Sequence, residues 1–149
     1  MKFLVALDGS DESDTALEYA IDMADAMNAS LIGVHSVDPV LSNLGGMEPI
    51  ATISDADERL VLESIEDAET RGLKILEEAE RRAENAGTSL ESDLTYGDPA
   101  EEIPTFANEV GADAIVVGHR GRSQRASEML GSVAKRIVER ASVPVTVVR

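Results

Sequence analysis

The chain contains no cysteine, which excludes a disulfide framework, thiol chemistry and a cysteine-rich zinc site. No apolar run approaches the ~20 residues that a membrane helix needs. The first residues pass almost at once into a strand-like run, and nothing there has the form of a signal peptide. The expectation is a soluble, cytoplasmic protein. Basic charge is scarce: 13 Lys and Arg, only three of them Lys, stand against 29 Asp and Glu, giving a formal net charge of −16. Neutralising phosphates takes a basic face, so neither nucleic acid nor a membrane is an expected partner. A dense carboxylate surface with few lysines suits a salty cytoplasm, and a halophilic origin is expected.

At 149 residues the chain makes one domain, residues 1–149, with enough length for a sizeable core. Phe3 to Leu7 is a continuous apolar run, as in a strand buried on both faces. It stops at Asp8-Gly9-Ser10, a turn that also supplies helix-capping side chains. A helix follows with Ala16, Leu17, Ala20, Ile21, Ala24 and Met27 on one stripe and Asp14, Glu18, Asp22 and Asp25 outside it. Leu31 to Val37 is a second strand, carrying His35. Residues 39 to about 55 have no clean period, so they form either a functional lid or a disordered stretch. A long helix then runs from about Asp57 to Ala86 on Ile65, Ala68, Gly72, Ile75, Ala79, Ala83 and Ala86. Gly72 costs it ~1 kcal/mol against alanine, which close approach to the sheet would explain.

Leu90 to Leu94 alternates like a strand at an edge. Gly97-Asp98-Pro99 opens a helix with proline at its start, continuing through Ile103, Phe106, Ala107 and Val110. Ala114 to Val117 is a buried strand, Val133, Ala134, Ile137, Val138 and Ala141 mark the last helix, and Val143 to Val148 the last strand. Alternation five times over implies a parallel sheet with helices on both faces. With right-handed crossovers the strand order must reverse somewhere, and ligands bind at that reversal. If the first and fourth strands are neighbours, as in the order 3-2-1-4-5, the turns after Leu7 and Val117 face one crevice. Periodicity alone leaves that order open.

The turn after the fourth strand carries the chemistry. Gly118 and Gly121 are separated by His119 and Arg120, and nine residues later Gly131-Ser132-Val133 opens a helix. Glycines let backbone N–H groups approach a ligand closely, and a helix start offers unpaired donors and the positive end of its dipole. The layout can cradle an anion. Residues 114–149 hold seven basic and two acidic side chains, a balance of +5, whereas residues 1–113 hold six basic and 27 acidic, a balance of −21. Arg120, Arg122 and Arg125 lie in or just after the glycine turn. Lys135, Arg136 and Arg140 have a simpler reading as complements to the C-terminal end of their helix.

The pattern Gly118-x2-Gly121-x9-Gly131-Ser132 resembles the nucleotide-binding signature of the universal stress protein family, in its ATP-binding branch. Asp8-x-Ser10, His35-Ser36-Val37-Asp38 and Pro144-Val145-Thr146-Val147-Val148 agree, so the resemblance spans essentially the whole chain. It implies a Rossmann-like α/β fold, a five-stranded parallel sheet of order 3-2-1-4-5 with helices on both faces. It further implies that ATP, with Mg²⁺, lies against Ala6, Leu7, Asp8, Ser10, Ser36, Val117, Gly118, His119, Arg120, Gly121, Arg122, Gly131, Ser132 and Val133. The glycines, Val133 and the Ser132 hydroxyl would hold ribose and phosphates. Ala6, Leu7 and Asp8 would sit beside ribose and adenine, Ser36 would meet the adenine edge, and Arg120 would reach a phosphate. A two-fold homodimer through Val143–Val148 is implied as well. Simpler roles stay open: Asp8 as a turn and cap residue, Ser132 as an N-cap, His35 as a satisfied core histidine.

No Walker lysine follows a glycine loop, and no nucleophile–base–orienter set is evident. Binding is therefore expected rather than catalysis, with at most slow ATP hydrolysis and no metal ligand assigned. The loop from Pro39 to Ser54 and the segment from Arg122 to Leu130 are candidates to order over phosphates. The alternative function is a constitutive interaction module of the same fold that binds no nucleotide.

Overall fold

The computed structural model of the chain describes residues 1–38, 55–120 and 130–149, with side chains described from Ile65 onward in the second helix. The elements are β1 (Lys2–Ala6), α1 (Asp11–Met27), β2 (Ser30–Val37), α2 (Asp55–Asn85), β3 (Leu90–Tyr96), α3 (Pro99–Glu109), β4 (Ala114–Gly118), α4 (Ser132–Arg140) and β5 (Val145–Val148). Among the described residues the strands form one sheet in the order β3-β2-β1-β4-β5, and every neighbouring pair is parallel. The chain leaves β1 in one direction to build β2 and β3 and returns on its other side to build β4 and β5. The reversal falls between β1 and β4.

Alternating side chains of the central strands feed two cores, one on each face. Phe3 and Val5 of β1, with Leu7 just beyond it, pack under Leu17 and Ile21 of α1 and Leu76 and Ala79 of α2. Leu4 and Ala6 face the other way, with Ile115, onto Ile103 of α3 and Ile137 of α4. Continuous apolar runs in β1 and β4 follow from burial on both faces.

The helical stripes differ from expectation at their ends. Met27 is half exposed, because α1 stops there and the chain turns at Asn28, in the left-handed region at φ 51°. Ala86 is exposed beyond the end of α2, and Leu76 is a core residue of that helix. Val138 is 47% exposed: the α4 stripe centres on Ala134 and Ile137, and the next residue lies about 100° around the helix. β5 is shorter than expected, beginning at Val145. The segments 39–54 and Arg122–Leu130, save Leu130 itself, fall outside the described residues, as do Gly121 and Arg122. Among the described residues no helix is long and apolar enough to cross a membrane.

Candidate functional site

The carboxyl ends of β1, β2 and β4 lie side by side, and the turns after β1 and β4 flank the point of reversal. After β1, Asp8 Oδ1 accepts hydrogen bonds from the Ser10 amide at 2.9 Å and the Ser10 hydroxyl at 2.5 Å. Ser10 Oγ in turn accepts from the Ser13 amide at 3.1 Å and is the N-cap of α1. Asp8 therefore does act as a turn residue, and the single Ser10 proton is committed to it. Leu7 is committed on both sides of its peptide unit: its amide donates to the Val34 carbonyl at 2.9 Å and its carbonyl accepts from His35 Nδ1 at 2.7 Å. A carbonyl only accepts, so the proton sits on Nδ1. His35 is a satisfied core histidine bracing the end of β1. Ser36, at the end of β2, donates from Oγ to the Gly97 carbonyl at 2.9 Å.

After β4 the chain is packed tightly against α1. A Cβ on Gly118 would lie 2.8 Å from the Glu12 carbonyl oxygen and 2.9 Å from its carbon. Backbone cannot yield as a flexible side chain can, so a glycine is required here whatever binds nearby. The His119 amide donates to the Val148 carbonyl at 2.9 Å, and the His119 carbonyl accepts from the Gly131 amide at 2.6 Å. That second bond seats the start of α4 beside the turn. It also means that the Gly131 amide is engaged within the fold, so any donors that α4 offers an anion come from further along its first turn. The N-cap is Gly131, with extended backbone at φ −62° and ψ 153°, and Ser132 is the first helical residue rather than the cap.

Two buried polar atoms at this turn have no hydrogen-bond partner among the described residues: His119 Nδ1 and Arg120 Nε. Among the described residues Arg120 makes one ion pair, from Nη2 to Glu12 Oε1 at 3.6 Å. Buried polar atoms left this way are uncommon and call for a partner. Arg136 and Arg140 of the basic C-terminal segment have other work. Arg136 donates to Asp98 Oδ2 at 2.5 Å and Arg140 lies 3.3 Å from Glu101 Oε1, so the two pin α4 to the start of α3. Complementing the helix end thus describes Arg140, in the last turn, but not Arg136. Asp98 is also the N-cap of α3, accepting from the Ala100 amide at 3.1 Å. Burial works to raise its pKa, yet the hydrogen bonds from Arg136 and Ala100 and the charges of Arg136 and Arg140 outweigh it and hold the carboxyl below its ordinary value.

The arrangement brings Asp8, Ser36, Gly118, His119, Arg120, Gly131, Ser132 and Val133 to one end of the sheet, with Ala6, Leu7 and Val117 beneath. It leaves Ser10 buried as a cap. Sequence reading missed Glu12 and the Asp98–Arg136 pair; the capping pattern marked Asp98, but no local signal names its partner. Among the described residues no group of three His, Cys, Asp or Glu side chains stands ready to hold a metal ion.

A model of the universal stress protein family matches residues 1–149. Universal stress protein YxiE of Bacillus subtilis is 36% identical over 154 aligned residues, covering 99% of this chain and 98% of that protein. A solved universal stress protein in complex with cAMP is 32% identical, with a TM-score of 0.70 over 100% of this chain and 97% of that one. The universal stress protein from Archaeoglobus fulgidus in complex with dAMP is 25% identical, with a TM-score of 0.66 over 100% and 98% of the two chains.

Proposed function

The chain belongs to the universal stress protein family, and from that premise we propose that it binds an adenine nucleotide, ATP with Mg²⁺, as a nucleotide-responsive regulatory or protective dimer. The observation that carries this reading is the bond from the Gly131 amide to the His119 carbonyl at 2.6 Å. It seats a helix N-terminus against a turn whose His119 Nδ1 and Arg120 Nε are buried without partners among the described residues, beside the Asp8 turn that follows β1. Donors, a cation and a helix dipole then converge where the strand order reverses. Related structures hold cAMP and dAMP, which share the adenine and one phosphate with ATP.

In this reading Ala6 and Leu7 give apolar surface to the base, the end of β2 at Ser36 meets its edge, and Asp8 lies by the ribose. Gly118, His119, Arg120, Gly121, Arg122, Gly131, Ser132 and Val133 surround the phosphates. Mg²⁺ would arrive on phosphate oxygens, as it commonly does. The acidic excess suits a salt-rich cytoplasm. The outer edge of β5 suits pairing with a second copy through Val143–Val148.

One observation favours the second reading, an interaction module that binds no nucleotide: Gly118 has a packing reason to be glycine. Gently purified protein should release adenine nucleotide on denaturation, and calorimetry should detect added ATP. Gly131 is buried, so Gly131→Val wedges a branched side chain between turn and helix and should abolish that binding with the circular dichroism of the fold unchanged. Failure of the wild-type protein to carry or take up any adenine nucleotide leaves only the second reading.

A further inference from the structure

Arg120 is an under-used guanidinium. Nε and Nη2 form one edge of the group, the edge on which a carboxylate or phosphate docks with two parallel hydrogen bonds. Here Nε is buried with no partner among the described residues, and Nη2 has Glu12 Oε1 at 3.6 Å, too far for a hydrogen bond. Both side chains are mostly covered, 21% exposed for Arg120 and 29% for Glu12. Neither backbone can drift away from the other. The Glu12 carbonyl lies where a Cβ on Gly118 would be only 2.8 Å off, so the first turn of α1 is wedged against the end of β4.

The carboxylate of Glu12 is thus held over the docking edge of Arg120 without satisfying it. From this we infer that Glu12 is a built-in competitor for the anion site: a phosphoryl group on Arg120 must displace the Glu12 carboxylate, which sets the affinity for phosphorylated ligands. The inference rests on the nucleotide reading of this crevice and adds a residue that governs selectivity. Glu12 penalises every anion that approaches Arg120 and leaves an uncharged nucleoside unaffected. The competing pair still keeps some contact with solvent, so its removal is worth a several-fold change rather than orders of magnitude.

The test is calorimetric titration of wild type, Glu12→Gln, Arg120→Gln and the double variant with AMP, adenosine and inorganic pyrophosphate. Glu12→Gln should bind AMP about fivefold tighter than wild type, with adenosine affinity unchanged, and the gain should vanish in the Arg120→Gln background. Equal AMP binding by wild type and Glu12→Gln overturns the inference while the nucleotide reading stands. Binding of pyrophosphate but not AMP, tighter in Glu12→Gln, removes the nucleotide reading and supports the competitor role. Absence of binding for all three ligands removes both.

Discussion

Gly72 of α2 lies directly over His35 of β2: a Cβ there would stand 2.6 Å from His35 Cδ2 and 2.9 Å from Leu94 Cδ2. The missing side chain lets a long helix rest on the ring that holds the Leu7 carbonyl, and so on the end of β1 beside the site. Two effects oppose each other in Gly72→Ala. Helix propensity favours alanine by ~1 kcal/mol, whereas forcing a methyl into a filled gap costs roughly 1–3 kcal/mol. Both contacts are shorter than real Cβ atoms tolerate, so crowding should win. Urea unfolding should show a net loss of about 1 kcal/mol; a more stable variant would mean that α2 rests looser on the sheet than these distances say.

The Asp98–Arg136 bond fastens α4, and with it the turn after β4, to the start of α3. The Asp98 carboxyl is held below its ordinary value against the opposing effect of burial, so it binds fewer protons folded than unfolded. The stability it contributes is present above that value and is lost as pH falls through the lower folded pKa. Asparagine caps a helix as well as aspartate does, so Asp98→Asn removes the charge and keeps the cap. Its deficit against wild type should be about 0.5–1 kcal/mol near neutrality, as for a partly exposed pair, and should close below about pH 4. Unfolding at fixed ionic strength across that range measures it, and a deficit independent of pH would assign the loss to packing.

β5 offers its outer edge in a regular alternation. The Pro144 and Val148 carbonyls accept from Ile115 and His119 of the β4 side, so even-numbered positions face β4 and Val145 and Val147 turn their backbone groups outward. Val147→Pro removes an outward N–H while sparing the ladder to β4. If two copies pair along this edge, light scattering should report a dimer for wild type and a monomer of native circular dichroism for the variant. A monomeric wild type at working concentration dismisses the pairing.

Much of this fold was legible because it repeats locally. The apolar run Phe3–Leu7 and the buried Ala114–Val117 announced central strands, and Asp8 and Gly118 marked their ends as the rich ones, which is where the sheet order reverses. Gly72 read correctly as a close approach, and His35 as a satisfied histidine, since each is a local exception with one economical cause. What stayed hidden depends on partners far apart in the chain. Nothing periodic in α1 distinguishes Glu12, held over Arg120, from exposed acids such as Asp11 or Asp22, and the arginines of α4 resemble ordinary helix-end cations until α3 is packed beside them. The Gly131 amide was read as a ligand donor because the motif gives spacing, and spacing does not say which acceptor a donor meets first.

Charge sets the last expectation. With 29 acidic side chains against 13 basic and a formal charge of −16, self-repulsion in the compact state opposes folding in dilute buffer. The ion pairs that offset it locally, such as Arg82 with Asp14 at 3.3 Å and Arg81 with Glu78 at 2.5 Å, lie on or near the surface and are worth little apiece. Added KCl weakens both, since the screening length falls from ~8 Å at physiological salt to ~3 Å at 1 M. Repulsion acts over many distant carboxylates, though, while each attraction is a contact that screening reduces less. Net stabilisation should follow. Thermal unfolding should move upward between 0.1 and about 2 M KCl, and NaCl should act likewise if screening is the cause. A midpoint that is flat or falls with salt would show that the carboxylate surface is no burden to this fold and would remove the case for adaptation to a saline interior.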